Sequence, residues 1–288
     1  MPAELFALGN AFFFALHNML TRKGLRTSNA ATALITSLVI NIFVLWGVSL
    51  LFVPLGSLAT SGIFIFVLVG LFQPGLTRFL TYKGIETLGV AITDPIRATT
   101  PLFSALFAIL LLGEQMTWPI FFATLLIIIG ITVLSHRGGA MQRIRFLYVL
   151  YPLLASLLAG FSQILRKFGL GAVPHPFLAA AVTATSSLGV SLLTVWASGR
   201  RKEILVLNKE CLYFYLAAGV AVSLGMVSIY YALDRGQVTV VIPVSSTGPL
   251  FGLTLSALFL RDVQRVTLKI VIGASLIIAG VLLITMWK

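Results

Sequence analysis

Acidic side chains are scarce in this sequence, with eight Asp and Glu against 20 Lys and Arg in 288 residues. Charged residues of either sign make up only 10% of the chain, far below the roughly 25% of a soluble globular domain. That shortage excludes a water-soluble fold with a charged shell. Cysteine is scarcer still. The single Cys211 excludes an internal disulfide framework, and the three histidines make no Cys/His spacing suited to a metal. No metal or cofactor is therefore expected. No Walker A loop or other nucleotide-cradling motif occurs, which argues against a nucleotide-driven pump. Met1–Gly9 lacks a charged n-region and a small-residue cleavage site, so the first apolar stretch is expected to be retained as a span.

Apolar sequence dominates instead. Hydrophobic residues make up 59% of the chain and the mean hydropathy is +1.05, which places it in a membrane with lipids as partners. The net charge of +12 would suggest nucleic acid in a soluble domain. Here the basic residues fall mostly in short loops, where they flank a bilayer, and no nucleic-acid partner is expected. Ten stretches approach the roughly 20 residues that cross a membrane as helix: 3–21, 31–53, 63–82, 90–112, 117–135, 146–165, 177–197, 212–233, 238–260 and 267–287. Lipid offers no partner for a free amide, so helices are required, and the stretches do not alternate as barrel strands would. The polar loops are too short for a separate extramembrane domain.

A shift of 148 residues lays one part of the chain on another. Tyr82 falls on Tyr230, Val90 on Val238, Pro95 on Pro243, Thr99 on Thr247, and "PLF" at Pro101–Phe103 on "PLF" at Pro249–Phe251. Near the end of each half, "LLIIIG" at Leu125–Gly130 matches "SLIIAG" at Ser275–Gly280. The expected fold is thus an all-α membrane protein with ten transmembrane helices in two five-helix repeats, 1–137 and 146–288. Five is odd, so the second repeat is inverted relative to the first. Alternating-access transporters are commonly built this way, with substrate held between the halves.

The duplicated order of "Y-x-G/A-I/L" (Tyr82–Ile85, Tyr230–Leu233), mid-helix "P-L-F" and "LLLGE" (Leu110–Glu114) resembles the EamA-type branch of the drug/metabolite transporter superfamily. The resemblance covers the whole chain. It implies export or import of a small metabolite, amino acid, nucleoside or drug, with the termini in the cytoplasm. The pattern departs at Arg261–Asp262, where Gly-Glu is expected. Glu114 and Asp262 are expected to cap or brace the start of the next helix.

Within the spans, Pro101 and Pro249 lie near mid-membrane, where each removes an amide donor and frees a carbonyl, those of Arg97 and Ser245. Pro95 and Pro243 add two further helix-breaking positions, and the hydroxyls of Ser245, Ser246 and Thr247 stand close enough to line a cavity. Arg97 is costly at that depth. It either forms a neutral pair with Asp94 three residues earlier, or presents its fork to a substrate carboxylate or phosphate while Asp94 braces it or carries a coupling proton. Asn10, His17, Asn18, Gln73, Gln163 and Tyr230 complete the expected polar cavity; a lone His17 is more often a hydrogen-bonded core histidine than a titrating switch. Gln73, Pro74 and Gly75 should break the third span.

The charge count opposes the family on orientation. Four basic residues fall on the side of the termini (Arg166, Lys167, Arg235, Lys288) and fifteen on the other, which puts the termini outside. The function expected is a secondary active transporter, an exporter of a small polar metabolite such as an amino acid or related anion or zwitterion, in the cell's inner membrane. The alternative is an intramembrane enzyme or lipid-handling protein. An enzyme should cluster acids and bases at one depth, yet Asp94 is the one clear intramembrane carboxylate.

Overall fold

The computed structural model describes residues 2–54, 60–135, 146–197, 206–259 and 268–287, and Asp262 lies outside them. The described residues form helices and no strand: α1 (Ala3–Gly24), α2 (Ala30–Phe52), α3 (Ile63–Gly70), α4 (Thr77–Leu88), α5 (Val90–Arg97), α6 (Thr100–Leu112), α7 (Trp118–Ser135), α8 (Phe146–Ala172), α9 (Pro176–Ala197), α10 (Lys209–Arg235), α11 (Val238–Ser245), α12 (Gly248–Phe259) and α13 (Leu268–Met286). Eight helical stretches among them are long and apolar enough to cross a bilayer, and Trp118–Leu134 is a shorter apolar helix. Phe43, Leu51, Phe64, Trp118 and Leu268 stay exposed, as they can where lipid is the solvent. The chain is an integral, multi-pass membrane protein.

Three stretches expected as single spans are interrupted. A wide π-helical turn, Leu71–Leu76, separates α3 from α4, and inside it Gln73 leaves helical geometry (φ −137°, ψ 120°). The expected kinks at Pro101 and Pro249 are complete breaks between α5 and α6 and between α11 and α12. Each of these prolines sits in the first turn of the helix that follows, where its missing amide costs nothing. Pro95 and Pro243 remain inside α5 and α11.

Several helices run further than the apolar pattern predicts, α1 to Gly24 rather than 21 among them. The span that begins at Ile63 ends at Leu88 rather than at 82, α8 ends at Ala172 rather than at 165, and α10 ends at Arg235 rather than at 233. Basic residues expected to mark loops are therefore helical. Arg166 and Lys167 lie within α8, and Arg166 is buried at 7% exposure. The two leave the loop count, and so does Arg235, while Arg22, Lys23, Arg78, Lys83, Lys209 and Lys269 on the opposite side are helical as well.

Packing places the long helices in pairs. α1 lies along α10 and touches α11 and α12, whereas α8 lies along α3 to α6. α7 packs on α13 and α2 on α9. Small residues allow the close approaches, as in most membrane helix interfaces. A Cβ built at Gly130 would stand 2.8 Å from Ile277 Cγ1, and one at Gly280 would stand 2.6 Å from Ile127 Cγ1.

Candidate functional site

A cavity of about 550 Å³ opens between these helices. Five positions of the first broken helix line it: Asp94, Arg97, Ala98, Thr100 and Pro101. Ile242, Ser245, Ser246, Gly248 and Pro249 of the second also line it, each 148 residues later. Both breaks thus turn the same register inward. Asn10, Asn18, Gln73 and Gln163 join them, as do Arg78 and the unexpected Asn41 and Arg166.

The polar groups at the breaks are met locally. Thr100 Oγ1 donates to the Arg97 carbonyl at 2.8 Å, the group that Pro101 would otherwise leave free. Thr99 Oγ1 donates to Ile96 O at 2.6 Å. In the second break Ser246 Oγ donates to Ile242 O at 2.9 Å and Thr247 Oγ1 to Val244 O at 2.8 Å. Ser245 Oγ is buried with no partner among the described residues.

Across the cavity, Arg166 Nη1 donates to Gln163 Oε1 at 2.9 Å, and Gln163 Nε2 donates to Gln73 Oε1 at 3.0 Å. This chain joins α8 to the π-helical turn. The guanidinium of Arg166 lies 5.5 Å above the Tyr230 ring, a cation–π geometry. Asn10 Nδ2 donates to Gly225 O at 2.8 Å, and Asn41 accepts from Ser223 Oγ at 2.8 Å. Both fix α1 and α2 on α10.

Three expected cavity residues lie elsewhere. His17 is buried and its Nδ1 donates to Ala218 O at 3.0 Å, with an edge-on contact to Phe14, so it packs α1 on α10. Tyr230 is fully buried behind Arg166, with its hydroxyl 2.5 Å from Thr183 Oγ1. Thr247 faces a small apolar crevice between α1, α12 and α13. Conversely, Arg166 was concealed by its position in an Arg-Lys pair, which ordinarily marks a span end. Asn41 carried a legible signal, an amide alone in the apolar run of α2.

The end of the bundle where α1 begins is fastened by two half-buried charges. Glu114 does not cap the next helix, α7. It follows Gly113, whose left-handed φ of 67° ends α6, and its carboxylate accepts from Val238 N at 2.8 Å and from Thr239 N and Oγ1 at 2.9 and 3.0 Å. The partial positive charge and open amides of the α11 N-terminus suit an anion. Lys167 Nζ donates to Leu233 O at 2.5 Å and Gly236 O at 2.8 Å, the C-terminal carbonyls of α10.

Comparison with known proteins follows this architecture. The sequence profile of the EamA-like transporter family matches residues 1–136 and again 146–286. An uncharacterised transporter of Archaeoglobus fulgidus is 22% identical over 203 residues, 70% of this chain and 69% of that protein. An uncharacterised protein of Methanocaldococcus jannaschii is 37% identical over 84 residues, 29% of this chain and 60% of that protein's length. A solved crystal structure with 17% identity superposes with a TM-score of 0.80, covering 99% of this chain and 96% of its own, a likeness of fold.

Proposed function

The chain belongs to the EamA-like transporter family, within the drug/metabolite transporters, and from that membership we propose that it is a secondary active transporter working by alternating access between two inverted five-helix halves. The halves are residues 1–137 and 146–288, ten spans in all when each interrupted pair is taken as one. In this reading the protein exports a small polar metabolite, an amino acid or a related anion or zwitterion, across the cell's inner membrane.

The observation that carries the reading is the cavity, lined by the same five positions of two broken helices 148 residues apart. Broken helices beside a cavity are the usual device for presenting polar backbone to a substrate inside a membrane. A two-fold relation between the halves is supported by reciprocal contacts, Gly130 against Ile277 and Gly280 against Ile127. Such exchange of partners is the mark of a two-fold axis. The antiparallel course of α7 and α13 supports an axis across the helices, in the plane of the membrane.

The substrate lies between Arg97 on one wall and Ser245 and Ser246 on the other, with Asn10, Gln73 and Gln163 orienting it. Asp94 holds Arg97 or carries the coupling proton. The Glu114 and Lys167 contacts close one end, so the cavity is entered from the opposite end, on the side of Asn18. Purified protein in liposomes tests the reading by time-dependent uptake of radiolabelled solutes against a pH gradient. Chemical conversion of a solute without its movement would overturn it.

A further inference from the structure

Three guanidinium groups line the cavity, those of Arg78, Arg97 and Arg166, and among its lining residues Asp94 is the one carboxylate. One negative charge against three positive leaves two positive charges. Asparagine, glutamine and serine side chains make up most of the remaining polar lining, and these hydrogen-bond an ion without neutralising it. A charge at membrane depth is strongly disfavoured unless an opposite charge meets it. Two neighbouring charges of the same sign raise that cost further.

Arg166 is the sharpest case, because the protein surrounds it without neutralising it. Its side chain is more than nine-tenths buried. One Nη serves the Gln163 amide, Tyr230 covers one face, and Nε has no partner among the described residues. Nε of Arg97 and Oγ of Ser245 are buried in the same unpartnered way, and all three residues line the one cavity. Arginine forks match planar or tetrahedral oxyanions with paired bonds, a geometry an ammonium cannot offer.

We propose that the cavity is built for a small organic dianion, with one negative charge held at Arg166 and the second between Arg97 and Arg78. The inference rests on the transporter reading in one respect, that this cavity is the substrate site, and it narrows the substrate class. A zwitterion brings an ammonium into a cavity that already holds two unbalanced positive charges. A dianion leaves the loaded cavity neutral.

The test compares ligands of matched shape on the purified full chain by titration calorimetry at pH 8. Succinate, butyrate and 4-aminobutyrate share a four-carbon chain and carry two, one and no net negative charges. Glycerol 3-phosphate against glycerol asks whether both charges can reside on one group. Succinate or glycerol 3-phosphate should bind at least about tenfold more tightly than butyrate, and 4-aminobutyrate should bind least. Arg166→Gln should erase the preference for two charges over one, and Arg166→Lys should restore part of it. Asp94→Asn should keep the preference and tighten both dianions. Equal or tighter binding of 4-aminobutyrate by the unaltered protein overturns the proposal, whatever becomes of the variants; so does an Arg166→Gln protein that elutes as a single species and keeps the preference. Uptake in liposomes is scored separately. A protein that moves zwitterions sinks the dianion and keeps the transporter, whereas one that binds dianions and moves nothing does the reverse.

Discussion

The α5–α6 break and the α11–α12 break occupy equivalent positions, yet their chemistry diverges. The first turns Asp94, Arg97 and Thr100 into the cavity where the second turns Ile242, Ser245 and Gly248. α11 is buried from Val238 through Val244 and its amides are held by Glu114. α5 instead begins at Gly89, whose φ of 79° and ψ of 163° belong to a region that side chains avoid. Gln237, the equivalent residue, has an ordinary extended backbone (φ −73°, ψ 142°). The tyrosines of the shared motif differ as well: Tyr230 is fully buried and Tyr82 is 54% exposed. Duplication has kept the two backbone breaks and released the side chains, so one wall carries charge and the other carries hydroxyls.

The largest expected effect tests which wall matters for transport. Arg97→Ala should lower the initial uptake rate on the order of 100-fold, since a hydrogen-bonded charge is worth about 1.5–3 kcal/mol. Arg97→Lys should lower it by about tenfold and Ser245→Ala by no more than about threefold. Rates are normalised to protein recovered as a single species. Replacing Asp94 and Arg97 together by apolar residues of similar volume should not restore uptake. If it does, the pair is scaffold and the contrast between the walls is structural only.

Next in size is the anchoring of α11. Glu114→Ala should cost roughly 3 kcal/mol by leaving the Val238 and Thr239 amides without an acceptor, and Glu114→Gln about half of that. Thermal unfolding in detergent reads both. Smaller still is the cost of a side chain at the start of α5. Gly89→Gln should cost roughly 2 kcal/mol, whereas the mirror change Gln237→Gly should cost less than about 1 kcal/mol. Equal losses would mean that α5 and α11 start alike in spite of their backbones. The smallest effect is expected from Thr100→Val, about 1 kcal/mol, because it frees the Arg97 carbonyl to find water in the cavity.

Much of this is legible in the residues alone. Proline at residues 101 and 249 and Gln-Pro-Gly at 73–75 locate the breaks, because they remove donors that a continuous helix needs. Asn10, Asn18, Gln73, Arg97 and Gln163 line the cavity because a polar side chain in lipid has few other places to go. His17 and Tyr230 found the other place, a buried hydrogen bond to a neighbouring helix. Arg166 was hidden because an Arg-Lys pair after an apolar run ordinarily marks the end of a span. The Glu114 contact was hidden for another reason: the next helix is adjacent in sequence, but α11 is adjacent in space. Helices apolar on every side do not encode which side meets lipid and which meets protein.

Glu114 also sets a clock on biosynthesis. Its partners, Val238 and Thr239, follow it by 124 and 125 residues. At roughly 5–20 residues per second, a ribosome delivers them about 6–25 s later. During that interval the carboxylate waits without its partners, beside a helix that has already entered. The arrival of α11 ends the wait, so this fastening forms only after most of the chain has been made.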